Sequence, residues 1–432
     1  MLLSILVLLG LFFLLVMMGV PIAVSIALAS LSTLMLSMSF DPAAVTMAQR
    51  LAGGLDSFTL LAIPFFVISG YLMGQGGIAK RLIEAAKALV GTLPGGLALV
   101  NTLSCMLFGS ISGSAVAATS AIGTFMVPTM EKEGYDKNFS TAVTVTGSIL
   151  GLLIPPSNVL IIYAVAAGSV SIAALFMAGY LPGILAGLAL MIVAAGYAKK
   201  EGYPRSARIP LRAALRKFVE AGPSILMILV VVGGIIAGVF TATEASAIAV
   251  LYALVLSLFY REIKIKDLPQ ILLKSIETTA MVLLLIGVST GMAWVLAYEN
   301  IPQAISDALL MVSENPIIIL LLINIILLVV GAFLDITPAI LIFTPIFLPV
   351  AVELGMSPLH FGIMLVLNLS IGLCTPPVGS VLFVGCAVAG TTIQGLIRPL
   401  VMLYAALIVA LMLVTFVPFL SEGLPRAVGL IQ

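Results

Sequence analysis

Gly151-Leu152-Leu153-Ile154-Pro155-Pro156 interrupts one apolar segment, and Gly372-Leu373-Cys374-Thr375-Pro376-Pro377 interrupts another. Positions 151 and 372 lie 221 residues apart, and Gly134/Gly355 and Gly70/Gly291 keep the same spacing. The chain is read as a duplicated unit. Proline lacks an amide N–H and pushes the residue before it out of the helical region, so a Pro-Pro pair inside a membrane-length segment opens the backbone there. In a bilayer such freed groups are tolerated only where they are buried in protein or line a watery cavity. Paired Gly/Pro interruptions at matching positions of two halves point to a binding site near the bilayer midplane.

Hydrophobic residues make up 62% of the 432 and charged residues 9%, against about 25% charged in a soluble domain. The fold class that follows is an all-α polytopic membrane protein, with the lipid bilayer as its solvent. A net charge of +1 offers nucleic acid no attraction. Cys105, Cys374 and Cys386 sit in apolar stretches without metal-ligand spacing and read as small core residues. His360, the single histidine, is expected in an outer loop beside Pro358. With no partner at usable spacing, neither a nucleophile–base pair nor a transition-metal site can be built, so the chain does not read as an enzyme. The apolar N-terminus lacks a basic leader and reads as two membrane helices.

At about 20 apolar residues per span, the first half gives crossings near 2–18, 22–39, 57–75, 137–167 (broken at the prolines) and 173–198. The second gives 222–239, 243–260, 276–297, 357–389 (broken likewise) and 396–419. Each half carries one further apolar stretch, at about 95–130 and 316–352, interrupted by Gly109-Ser110-Ile111-Ser112-Gly113-Ser114 and by Gly331-Ala332-Phe333-Leu334-Asp335-Ile336-Thr337-Pro338. Both stretches are expected to be re-entrant helical hairpins. Two full crossings in either place would carry the tip to the opposite surface. The organisation predicted is a first repeat over 1–198, a basic cytoplasmic linker over 199–219, a second repeat over 220–420 and a periplasmic tail over 421–432.

Five crossings per half is an odd number, so the second repeat lies upside down relative to the first. Placing the Lys199–Lys217 segment in the cytoplasm puts every Lys and Arg inside except Arg50 and Arg426, the bias expected of a correct topology. Both termini then face the periplasm. Residues 80–92 place Leu82, Ile83, Ala86, Leu89 and Val90 on one helical face, and 301–313 repeat the pattern, as suits helices lying in the membrane surface.

The breaks and tips gather oxygen. Ser110, Ser112, Gly151, Ile154 and Pro155 supply hydroxyls and freed carbonyls at one place, and Gly331, Asp335, Thr337, Gly372 and Thr375 do so at another. Hard cations such as Na⁺ take oxygen ligands, so two cation sites related by the duplication are expected. The Ser/Gly run by itself fits close helix packing equally well. Helix N-termini after the breaks favour an anionic group, and Ser114, Thr119, Ser157, Asn158 and Thr337 are the candidate polar contacts to a substrate. An acid inside the membrane is costly and functional by default, which singles out Asp335. Glu244, after the turn Phe240-Thr241-Ala242-Thr243, reads first as a helix cap.

The hairpin GSISGSAVAATSAIG (109–123), the run GLLIPPSN (151–158), the turn Phe240–Ala245 and the GLCTPP break (372–377) occur in an order and spacing that resembles the large membrane subunit of TRAP (tripartite ATP-independent periplasmic) transporters, over essentially the whole chain. The resemblance implies a sodium-coupled importer of the bacterial inner membrane that works by an elevator motion. It also implies two partners, a small four-helix membrane subunit and a periplasmic substrate-binding protein, and organic-anion substrates such as C4-dicarboxylates or sialic acids. A self-sufficient sodium/dicarboxylate symporter of related architecture is the alternative.

Overall fold

The computed structural model describes residues 2–168, 170–204, 210–313, 315–376 and 378–431. Pro377 of the second break and Arg205 and Arg208 of the basic segment lie outside these. Every regular element among the described residues is helical. Leu2–Met17 (α1) and Ile22–Leu34 (α2) are followed by Phe40–Leu55 (α3) and a 3₁₀ turn, Phe58–Leu61, that runs into Ala62–Gln75 (α4). Next come Ile78–Val90 (α5), the hairpin Gly96–Ser112 (α6) and Ala115–Lys132 (α7), then Lys137–Ser148 (α8), a 3₁₀ turn at Ile149–Leu152, Asn158–Ala167 (α9) and Ile172–Lys200 (α10).

The second half runs Leu211–Ile236 (α11), Ala242–Phe259 (α12), Leu268–Tyr298 (α13), Ile301–Val312 (α14), the hairpin Pro316–Phe333 (α15) and Ile336–Glu353 (α16), then Pro358–Gly372 (α17), Ser380–Ala389 (α18), Ile393–Phe416 (α19) and Phe419–Ala427 (α20). The starts of α7, α8 and α10 recur 221 residues later as those of α16, α17 and α19. Both hairpins leave through a left-handed residue, Gly134 at φ +86° and Gly355 at φ +87°, a conformation in which a side chain clashes.

Eight segments among the described residues are long and apolar enough to cross a membrane. The chain is a multi-pass membrane protein. The two helices of the second hairpin are among those eight, at 18 residues each, so length alone would allow full crossings. Their connection lines the same cavity as the first hairpin's tip.

Long-range polar contacts sort into two groups. Lys217 pairs with Glu84, Arg81 approaches Glu262 at 4.0 Å, Tyr135 donates to the Pro204 carbonyl at 3.1 Å, and Thr391 donates to Asn138 Oδ1 at 2.5 Å. The others join Ser4 to Glu299 (2.7 Å), Thr243 to the Phe58 carbonyl (3.1 Å), Ser306 to Glu353 (2.9 Å) and Ser357 to Glu422 (2.5 Å). Each group joins only residues that the crossing count assigns to one surface.

Several expectations need correction. The second crossing stops at Leu34, and α3 was not foreseen. It buries Ala43 and Met47 against α13 and sends Phe40 and Val45 outward. The segment read as a linker is shorter than expected, because Lys199 and Lys200 finish α10 while Arg212, Arg216 and Lys217 belong to α11. The tail carries α20, which packs on α10 and α17. His360 is in the first turn of α17, buried, with Nε2 2.8 Å from the Val414 carbonyl; a helix capped by Ser357 has absorbed what looked like a loop. On α5, Leu82, Ile83 and Ala86 are buried but Leu89 is 60% exposed, since the helix meets its neighbours along a narrower stripe than its apolar face.

Glu244 does cap a helix. Its carboxylate accepts from the Thr241 amide at 2.8 Å while the Thr241 hydroxyl accepts from the Glu244 amide at 3.2 Å, a reciprocal capping box. Thr241→Ala is expected to cost about 1 kcal/mol, read as a lower thermal unfolding midpoint, and Glu244→Gln is expected to leave transport by the assembled protein unchanged. A transport defect in Glu244→Gln at normal stability would show that the acid does more than cap.

Candidate functional site

The two hairpins and the two broken helices cross through glycine. A Cβ on Gly109 would come within 2.9 Å of Gly151 Cα, and a Cβ on Gly372 within 2.5 Å of Gly331 Cα. Main chain therefore meets main chain at both crossings, which only glycine permits. This brings each tip beside its break. Ser112 ends α6, Gly113 turns the chain at φ +62°, and Ser114 caps α7 by accepting from the Ala117 amide at 3.2 Å. At the other tip Asp335 is the N-cap residue of α16, followed by Ile336 and Thr337.

Both tips open on one cavity of about 430 Å³. Ser112, Gly113, Ser114, Asp335, Ile336 and Thr337 line it, and so do Leu152 and Asn158 of the first break and Leu373 of the second. The volume falls in the range of small-molecule sites. The N-terminal ends of α7, α9 and α16 face it, and no Lys or Arg does among the described lining residues. Any favourable charge an anion meets from this lining thus comes from helix N-termini and not from a cationic side chain.

Several main-chain groups at the breaks have partners. Ser157 donates to the Leu152 carbonyl, and Thr375 donates to the Ile371 carbonyl at 2.8 Å. The Gly379 amide donates to the Ala332 carbonyl at 3.2 Å, tying the second break to its hairpin, and the Val381 amide donates to the Leu373 carbonyl at 3.2 Å.

The structure sorts the expected ligands. Ser112, Ser114, Asn158, Asp335 and Thr337 meet in the cavity. Ser110 is buried behind it and donates to the Leu107 carbonyl at 2.9 Å. Gly151, Pro155, Gly331, Gly372 and Thr375 stand at the crossings and breaks without lining the cavity, and Ile154 points its side chain at Gly183 of α10. Ser157 is fully buried within the break. Thr119 lies outside the cavity: it is one residue from Ser120, which lines it, and that step around the helix turns Thr119 toward Gly385 of α18, where its hydroxyl is buried without a partner.

Residues 9–420 match the family model described as "Tripartite ATP-independent periplasmic transporter, DctM component". The chain belongs to this family. It is 54% identical to YgiK of Salmonella typhimurium over 98% of this chain and 97% of that one. It is 38% identical to the C4-dicarboxylate TRAP transporter large permease protein DctM of Rhodobacter capsulatus, over 99% of this chain and 100% of the relative. With the sialic acid TRAP transporter large permease protein SiaM of Vibrio cholerae it shares 38% identity over 94% of this chain and 95% of the relative. Among solved structures, the YdaH transporter of Alcanivorax borkumensis superposes with a TM-score of 0.57 at 14% identity, covering 87% of this chain and 88% of that one, which is a likeness of fold. The relatives named for a function are transporter permeases, not enzymes.

Two parts of the permease site were missed in the sequence. Ser380, in the first turn of α18, is one, its hydroxyl set beside the Asp335 carboxylate of the second tip. α4 and α13 add Tyr71, Gln75 and Thr278 to the lining; a glutamine one turn from a tyrosine in a membrane-length helix is a legible signal for it. The crossings yield a direct test. Gly151→Ala and Gly372→Ala must push main chain apart and are expected to cost about 1–3 kcal/mol each, seen as lower unfolding midpoints and loss of uptake, whereas Gly196→Ala, with open space around it, should change neither.

Proposed function

We propose that this permease carries an organic anion across the bacterial inner membrane, coupled to sodium, in a complex with a small four-helix membrane subunit and a periplasmic substrate-binding protein. The observation that carries the reading is the convergence of both tips and both breaks on one cavity. Asp335 stands exposed in that cavity beside helix N-termini. Its negative charge would repel an anionic cargo unless a cation lay between them, and this links cation to anion in one binding event. Hydroxyl and main-chain oxygens at the tips and breaks are hard ligands of the kind Na⁺ takes. The relatives named for C4-dicarboxylate and sialic acid supply the cargo class. Family membership favours the three-part assembly over the self-sufficient symporter.

The two halves differ in a way that supports an elevator motion between inverted repeats. α16 packs on α13, whereas α7 and α4, their counterparts at the 221 spacing, face each other across the cavity. With the basic segments in the cytoplasm and both termini in the periplasm, the open side is cytoplasmic. Exchanging the two arrangements would turn the cavity outward.

In proteoliposomes, uptake of labelled succinate or N-acetylneuraminate is expected only with all three components and a sodium gradient; Asp335→Ala should abolish the sodium dependence. Full uptake by this chain alone, or unchanged sodium dependence in Asp335→Ala, would refute the assignment. For sidedness, a membrane-impermeant maleimide should label Ser120→Cys only from the cytoplasmic face and Asp307→Cys, exposed on α14, only from the periplasmic face. The reverse pattern would invert the topology.

A further inference from the structure

One wall of the cavity is built from tips and breaks; the other is the face of α4 that carries Tyr71 and Gln75, joined by Thr278 of α13. Tyr71 Oη lies 3.0 Å from Thr278 Oγ1, and Thr278 donates its own proton to the Lys274 carbonyl 3.1 Å away. Either hydroxyl can donate in this pair; where Thr278 keeps its proton on the Lys274 carbonyl, the phenol donates and its oxygen is left to accept from the cavity. Gln75, one turn further along α4, is exposed there with an amide that both donates and accepts.

The duplication provides an internal control. The positions 221 residues beyond Tyr71 and Gln75 are Met292 and Leu296, apolar and buried at 1% and 0% exposure. The neighbouring Gly70/Gly291 pair is retained. The same helix face is thus apolar where the second half buries it and polar where the first half opens it to the cavity. Tyr71, Gln75 and Thr278 carry donors and acceptors but no charge, and the one acid among the described lining residues, Asp335, stands at the hairpin tip, so this patch suits a neutral polar group better than a second carboxylate.

We propose that Tyr71, Gln75 and Thr278 form a second polar subsite, which hydrogen-bonds a hydroxyl or carbonyl group of an organic anion whose carboxylate lies at the helix N-termini. The subsite selects cargo by its uncharged polar groups. It rests on the reading of the cavity as the cargo site. A wall that hydrogen-bonds a hydroxyl discriminates against the analogue lacking it, because its own polar groups are then left unpaired.

The test uses the full chain with its membrane partner in lipid nanodiscs, labelled by a maleimide at Gln75→Cys or at Ser120→Cys. The parent chain, whose three cysteines are buried, gives the background. Succinate, L-malate and N-acetylneuraminate are titrated in sodium buffer. Ser120→Cys should be protected by malate or N-acetylneuraminate at about tenfold lower concentration than by succinate, and Gln75→Cys, which itself removes a subsite side chain, should be protected by the same anions with that ratio lowered. At Ser120→Cys that ratio should collapse toward one with Tyr71→Phe or Thr278→Val and persist with Thr278→Ser, which keeps the hydroxyl. Protection at Ser120→Cys with no protection at Gln75→Cys, or a ratio untouched by Tyr71→Phe and Thr278→Val, would overturn the subsite while leaving the cargo cavity standing. If no anion protects either cysteine, the cavity reading fails and the subsite with it.

Discussion

Main-chain groups released by proline inside a bilayer must find partners within the protein, and the architecture of this permease follows from how that demand is met. Water is not at hand, so each freed group needs a hydroxyl, an amide or a cavity. Ser157 and Thr375 satisfy carbonyls at the two breaks, and the Gly379 amide reaches the Ala332 carbonyl of the adjoining hairpin. The last of these bonds spans break and hairpin, where Gly331 meets Gly372 backbone to backbone, as Gly109 meets Gly151 in the first half. The hairpins are thus held at the breaks by the same contacts that keep the breaks open.

Once tips and breaks are locked together, their helix N-termini point at a common space. The partial positive charge there comes from fixed backbone dipoles instead of flexible cationic side chains. A site of this kind holds an anion without a buried lysine or arginine, whose desolvation would be expensive. Asp335 adds the opposite sign to the same space, and a cavity that joins an acid to helix N-termini is chemically suited to an ion and an anion together.

The two halves are alike in element order and unlike in environment. α16 is sealed against α13, and α7 leaves α4 across the cavity. Equal sequence spacing therefore does not produce equal packing, and the polar wall of Tyr71 and Gln75 faces a space that their apolar counterparts Met292 and Leu296 do not have.

Local chemistry determined much of this protein from sequence. Prolines and glycines at a 221-residue spacing marked the breaks, 18-residue apolar runs became helices, and Thr241 with Glu244 made a cap whose partners lie three residues apart. Such features depend on neighbours along the chain. What lay beyond reach were helix faces and long-range partners: α3 is anchored by α13, α20 by α10, and His360 is buried by α19 through the Val414 carbonyl. Thr119 differs from Ser120 by one step around a helix, which composition cannot orient. Tertiary structure alone decided which oxygens face the cavity and which turn back onto the backbone, because a hydroxyl such as that of Ser110 or Ser157 can bond a nearby carbonyl in any helix and only the packing of distant segments fixes which faces line the space.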